Sequence, residues 1–498
     1  MQDTINTHDP EKQNNNYNKS LFNDNDLNDP LINKNDQDTL NTKNEYNLTI
    51  KSSYNLIAKK LIYLASPILF MYVSHMIWST LTYYNIRSRP VYITEGKSIL
   101  FIYYYSIIIG LFWAFSIGFE IKGSKAFGEK NITELYRLIS ANFSMYVYIV
   151  IVLIIISNTL IPYLLTFLPF NSLSVSNFKS EMLLLSLTYP MIASIALLGR
   201  IVNMLQRNSI LNYATFYSLI VQIFASWFFM NYLEMDNYGM GCAFLVTYFV
   251  KSFVIIKDVI KLEPHGIKLS KVNFFEFNIF KDNCYILKLI FFNLFPAFNC
   301  LIILISGEVC TFSGILIDDN TFTMLSIYFN IYNISALLFE SIANSMTILI
   351  SYSLGKKDEF LAWKIWKSCF RVFIPVAIGL TMLLYVFHIF IFKLYTNDIS
   401  LNLLADYNCI YLCITIVLSG IHYLLSEFII VSGYIKFPPL VALILRLGVF
   451  VALVIITVNY LNYNVNAILL SWICVQFLTL VIYTIKIYYI KKKGIILK

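Results

Sequence analysis

Long apolar stretches, each of the length needed to cross a bilayer, fill residues 61 to 490, with short hydrophilic joints between them. A hydrocarbon core about 30 Å thick calls for ~20 apolar residues per helix. With no water there to satisfy the backbone, the crossing segments must be helices. The run Ile149-Val150-Ile151-Val152-Leu153-Ile154-Ile155-Ile156 would favour strand on β-branching alone, but length and repetition decide for helix. Only 13% of the residues are charged, roughly half the 25% usual for soluble domains. The chain therefore reads as an all-α polytopic membrane protein.

Twelve spans are expected, at about 61–84, 98–120, 143–166, 181–203, 210–232, 238–260, 286–307, 322–350, 370–393, 404–432, 437–459 and 463–490. Basic residues concentrate on alternate joints. One set holds Lys122, Lys125, Lys130 and Arg137, then Arg207, the lysines of 261–281, Lys356 to Arg371, Lys436 and Lys491 to Lys493. The other set holds little beyond Arg87, Arg89, Lys97, Lys179 and Lys393. The positive-inside rule then places both termini in the cytoplasm. Residues 1–55 are an Asn/Asp-rich stretch that reads as a disordered tail, not a signal peptide. Its first fifty residues carry nine acids against four lysines, so the remainder has a net charge of +13 against +8 for the whole. That excess is a topology signal, not a nucleic-acid footprint. Within the tail, Asp29-Pro30-Leu31-Ile32 resembles an imperfect acidic dileucine sorting signal, which leaves plasma membrane and vacuolar or vesicular membranes both open.

A basic joint at 261–284 separates two groups of six spans, 56–260 and 285–490, with a short basic tail at 491–498. The halves resemble each other. Lys60-Leu61-Ile62-Tyr63 with Pro67 matches Lys288-Leu289-Ile290-Phe291 with Pro296. Ala126-Phe127-Gly128-Glu129-Lys130-Asn131 matches Ser353-Leu354-Gly355-Lys356-Lys357-Asp358, and the offset along the chain is nearly constant throughout. Six is even, so both copies enter from the same side and are related by a pseudo-two-fold axis along the membrane normal. Secondary transporters are commonly built this way, with the substrate route between the repeats.

The segment Gly118-Phe119-Glu120-Ile121-Lys122-Gly123-Ser124-Lys125-Ala126-Phe127-Gly128-Glu129-Lys130-Asn131 resembles the one closing the second helix of the multidrug and toxic compound extrusion (MATE) family. Leu205-Gln206-Arg207-Asn208-Ser209, Ser306-Gly307, Ser351-Tyr352-Ser353-Leu354-Gly355 and Ser432-Gly433-Tyr434-Ile435-Lys436 resemble its later motifs in collinear order over about residues 60 to 490. The resemblance implies a twelve-helix, two-lobed exporter that exchanges small organic cations or amphiphiles for protons or sodium ions. It also marks departures. Family acids of the seventh and eighth helices fall on Phe295, Cys300 and Asn330, one of the tenth falls near Ser419, and one of the first falls near Thr82. Only Glu120 keeps a family acid.

Ionisable residues inside spans are costly and mark function by default. Glu340, Glu427 and Glu120 are the ion-coupling candidates. Glu340, mid-span in the eighth helix, is preferred as proton carrier, with a neutral structural carboxyl as its other role. Glu427 stands one turn after Tyr423; interface anchoring is its alternative. Glu120 is expected to close the second helix beside Lys122 and Lys125, in an ion pair or gate contact, and Glu308 to be a solvated helix end. Asn330, Asn333, Asn344 and His422 are the candidates for the substrate cavity, the asparagines serving equally well as helix bridges. Arg200 and Arg446 either pair with the acids or snorkel to the interface. His75 and His388 read as satisfied core histidines, and the eight cysteines as structural thiols. Pro67, Pro190, Pro296 and Pro375 are placed to kink spans.

No G-x-x-x-x-G-K-[ST] loop occurs, which removes a fused ATPase; neither an enzyme nor a cofactor is implied beyond a coupling H+ or Na+. The expected partners are small cations or amphiphiles and membrane lipids, not nucleic acid, with the chain acting as a monomer. The alternatives are a lipid or lipid-linked oligosaccharide flippase of the same superfamily, whose cavity would be more cationic, and a non-transporting scaffold.

Overall fold

The computed structural model describes residues 48, 52–86, 100, 102–167, 172–205, 207, 209–235, 238–260, 283–314, 317–395, 399–459 and 465–495. Most of the tail, the joint at 261–282, and residues Arg87, Arg89, Lys97, Gln206 and Asn208 lie outside these, as do the side chains of His75 and Thr82.

Among the described residues, eleven helices are long and apolar enough to span a membrane, and a pair bent by 48° supplies a twelfth. In chain order they are α1 (Tyr54–Ile86), α2 (Ile102–Ile109, then Gly110–Gly128), α3 (Ile132–Leu165), α4 (Ser172–Ser186 and Tyr189–Met204), α5 (Ser209–Tyr232), α6 (Gly239–Ile260), α7 (Asn283–Ser313), α8 (Asp319–Gly355), α9 (Glu359–Tyr395), α10 (Ile399–Val431), α11 (Phe437–Ala442 to Phe450–Asn459) and α12 (Val465–Lys493). Pro190 stands just after the bend in α4, where a missing N–H costs least. Stretches of π-helix interrupt α2, α3, α5 and α11; such bulges are frequent at functional sites.

Several boundaries differ from the hydropathy reading. Helix α2 runs on to Gly128, so Glu120 lies inside it instead of closing it. Helices α3 and α9 start at Ile132 and Glu359, about three turns before their apolar runs begin. Polar turns project beyond the hydrocarbon here, and side-chain caps start them: Asn131 Oδ1 accepts from the Glu134 amide at 3.0 Å and Asp358 Oδ1 from the Leu361 amide at 2.9 Å.

Those two caps belong to one repeated joint. The amides of Glu129, Lys130 and Asn131 bond the carbonyls of Lys125, Phe127 and Ala126 at 2.9, 3.1 and 3.0 Å. The amides of Lys356, Lys357 and Asp358 bond Tyr352, Leu354 and Ser353 at 3.2, 2.9 and 3.0 Å. Lys130 and Lys357 both take left-handed φ values, 57° and 58°, the geometry that closes helix ends. Every partner in one joint has its counterpart in the other at one and the same offset along the chain. The internal repeat read from the sequence thus extends to individual hydrogen bonds.

The halves meet along α1 and α2, which pack on α7, α8 and α9. At the basic end of this seam the backbones touch. A Cβ at Gly128 would collide with the Tyr352 carbonyl, and one at Gly355 with the Lys125 carbonyl. Gly118 packs equally closely on the Asn293 side chain of α7, which donates to Asn142 Oδ1 of α3 at 3.1 Å. Lipid gives apolar helices no reason to associate, so small residues that admit close contact, with polar bridges beside them, hold such a seam.

Candidate functional site

Two contacts occupy equivalent places in the two halves. Arg200 on α4 donates from Nη1 to Glu120 Oε2 on α2 at 2.5 Å and from Nε to Ser116 Oγ at 2.9 Å. Its guanidinium carbon lies 5.5 Å from the Trp113 ring. In the second half, the Thr347 hydroxyl on α8 donates to Glu427 Oε2 on α10 at 3.2 Å. The offset that relates the two joints also carries Glu120 onto Thr347 and Arg200 onto Glu427. The repeat thus keeps the geometry and changes the charges. Arg200 is 2% exposed, so it does not snorkel; it, not Lys122 or Lys125, is the ion-pair partner of Glu120.

The third carboxylate bridges the halves. Tyr72 on α1 donates from its hydroxyl to Glu340 Oε1 on α8 at 2.8 Å. Glu340 lies within electrostatic reach of Arg200, and Glu427 within reach of Glu340, Arg200 and Glu120. The three acids singled out from the sequence are therefore brought together around one arginine. Cys300 on α7, at a position where the resemblance expects an acid, faces Glu340 and Glu427. The second half carries its acids on α8 and α10, near the α7 position where the resemblance expects one.

Exposure along α8 shows how this group is reached. At about 100° per residue, Asn333, Glu340, Asn344 and Thr347 fall on one face within some 60°. Asn333 is exposed, Glu340 partly exposed, and Asn344 and Thr347 buried. Tyr72, Cys300 and Tyr423, the other groups around Glu340, also keep partial exposure. Exposure along this face falls from Asn333 to Thr347, toward the basic end, where Gly128 and Gly355 bring the backbones of the halves together.

The remaining candidates separate. Asn330 and Asn333 are exposed while Asn344 is buried, so the three do not share one environment; the Asn330 amide returns to its own helix, donating to the Ser326 carbonyl at 3.1 Å. Phe295 lies under the Lys436 ammonium at 5.3 Å. His422 is turned away from the carboxylates: its ring stacks on Tyr483 of α12 at 5.2 Å and neighbours Arg446. Arg446, expected either to pair or to snorkel, does neither among the described residues; it is 1% exposed with no hydrogen-bond partner. His388 is satisfied, as expected, but by Asp406 and the Tyr385 carbonyl near the outer end of α9 and α10, not in a core. Lys251 on α6, buried over the Trp78 ring at 5.6 Å, and Glu181, which receives the Met240 amide at 3.2 Å at the start of α6, were not singled out from the sequence. Each is a single charge within an apolar run of sequence, and only packing shows its surroundings.

Comparison with known proteins bears on the fold that carries these residues. The family model MatE matches residues 297–460. No curated protein sequence matches the chain. Among solved structures, the eukaryotic MATE transporter AtDTX14 is similar at a TM-score of 0.73 and 15% identity, over 87% of this chain and 96% of that one. A multidrug resistance MATE transporter of the MOP superfamily, in an outward-facing conformation, gives 0.79 at 12% identity, over 88% and 97%. A MOP superfamily transporter from Pyrococcus furiosus, described as having reversed polarity in its binding pocket, gives 0.76 at 13%, over 86% and 94%. Residues 297–460 match the MatE family model, and the chain has the fold of the MATE transporters.

Proposed function

We propose that the protein is a secondary antiporter that exports organic cations or amphiphiles against an inward flow of protons or sodium ions. The reading is carried by the hydrogen bond from Tyr72 to Glu340, which puts a carboxylate on the seam between the halves, open to one side. A carboxylate in that position takes a proton or a sodium ion in one state of the seam and a cationic cargo in the other. Because both compete for the same oxygens, exchange follows without further machinery. Glu427 and Glu120 share its field, and Arg200 holds the balance of charge when the acids are ionised. Rocking of the halves about Gly128 and Gly355 would move the opening from one face to the other, with both termini on the cytoplasmic side.

The test is purified protein in liposomes loaded with a fluorescent organic cation. An imposed pH or sodium gradient is expected to drive dye movement that stops when the gradient is dissipated. Movement that ignores both gradients would refute exchange.

A further inference from the structure

The second half contains a buried arginine and a buried histidine that the carboxylate site does not use. Arg446 sits in the π-helical part of α11, nine residues after Phe437, and His422 sits in α10, nine residues before Val431. Each is therefore roughly 14 Å from the basic face, close to the middle of a hydrocarbon core about 30 Å thick. Both residues are 1% exposed. Among the described residues, Nε, Nη1 and Nη2 of Arg446 and both ring nitrogens of His422 lack a hydrogen-bond partner.

The walls around them are aromatic. The Trp472 ring lies 5.8 Å from the Arg446 guanidinium carbon, and the Tyr483 ring 5.2 Å from that of His422. The Tyr483 hydroxyl is already donated to the Pro438 carbonyl at 3.1 Å. Glu427, on the same helix as His422, is turned instead to Thr347, Glu340 and Arg200. Tyr423 neighbours both Glu340 and Arg446 and keeps partial exposure, so it lies between the carboxylates and the pair.

An amine or imidazole in such a place can shed its proton; a guanidinium cannot. Leaving it buried and unpaired costs far more than one cation–π contact returns. What completes it is an anion. Its planar fork of donors matches a carboxylate or phosphate bidentately, and His422 adds a further donor beside it. We propose that Arg446 and His422 form a binding site for an oxyanionic group, carboxylate or phosphate, with Trp472, Tyr423 and Tyr483 packing against the apolar part of the molecule that carries it. The site stands apart from the antiport reading: its binding is measured without a gradient and needs neither Glu340 nor Glu427.

The experiment follows thermal unfolding of the full-length protein in detergent, titrated with benzoate and with phenylphosphonate, sodium chloride of equal ionic strength being the control. For the wild type we expect a concentration-dependent rise in Tm with at least one oxyanion beyond the salt control, because a ligand bound only to the folded state raises apparent stability. Arg446→Met is expected to raise the unliganded Tm, by removing a buried unpaired charge, and to abolish the response; His422→Gln is expected to weaken it. No response in the wild type, or an equal response in Arg446→Met, overturns the proposal. If Arg446→Met does not fold, Arg446→Lys replaces it: a response weaker than wild type supports the site, and an unchanged response overturns it. Repeating the titration in phosphatidylcholine and phosphatidylglycerol nanodiscs separates two sources of the oxyanion. Loss of the benzoate response only in phosphatidylglycerol assigns the site to a lipid headgroup, and a response in both assigns it to a soluble molecule.

Discussion

Arg200 and Glu427 stand at the same position of one repeated unit, Arg200 in the first copy and Glu427 in the second, and carry opposite charges. In the first half Arg200 pairs with Glu120 across α2 and α4; in the second Glu427 accepts from the Thr347 hydroxyl across α8 and α10. The scaffold is two-fold and the electrostatics are not. Glu340 and Glu427 are each held by a hydroxyl, Tyr72 and Thr347, with Glu340 partly exposed and Glu427 buried.

This asymmetry makes the Glu120–Arg200 contact structural. Removing one partner of a buried pair strands a charge and costs about 3–5 kcal/mol, whereas removing both is far milder. Arg200→Gln and Glu120→Gln are each expected to lower the Tm of the purified protein markedly. The double variant should recover most of the loss, as a double-mutant cycle in thermal unfolding would show.

Tyr72 should matter for transport more than for folding. A hydrogen bond to a charged group contributes about 1.5–3 kcal/mol, and this one joins α1 to α8 across the two halves. Tyr72→Phe is expected to reduce gradient-driven efflux by about tenfold, with a fall in Tm smaller than that of Arg200→Gln. Efflux at the wild-type rate would show that the contact is incidental.

The glycine contact sets the third expectation. A side chain at Gly128 or Gly355 meets a main-chain carbonyl of the opposite half, which has no rotamer by which to retreat. Overpacking of this kind costs about 1–3 kcal/mol, here charged to the state closed at its basic end. Gly128→Leu and Gly355→Leu should have matching effects because the two positions are equivalent. In each, a Ser351→Cys probe, buried in the closed state, should react faster with an impermeant thiol reagent applied from the basic side.

Much of the architecture was legible in the sequence because it is written in periodicity. The internal repeat, the spans and the basic joints follow from apolar length, recurring segments and lysine placement. Helix ends were misread where caps such as Asn131 and Asp358 extend polar turns past the membrane, which hydropathy does not register. The carboxylates stood out because lone acids in apolar runs are rare. Their partners did not: Arg200 meets Glu120 across 80 residues of chain and Tyr72 meets Glu340 across 268. His422 and Glu427 stand five residues apart, which at about 100° each places them some 140° apart around α10, and they serve different surroundings.

The most direct test of the account measures efflux of a fluorescent organic cation from liposomes under imposed pH and sodium gradients for the wild type, Glu340→Gln, Glu427→Gln and the double variant. Coupling through these carboxylates predicts that each single variant slows gradient-driven efflux and that the double variant abolishes it while remaining folded. Efflux that still follows the gradient at the wild-type rate with both acids replaced would contradict it.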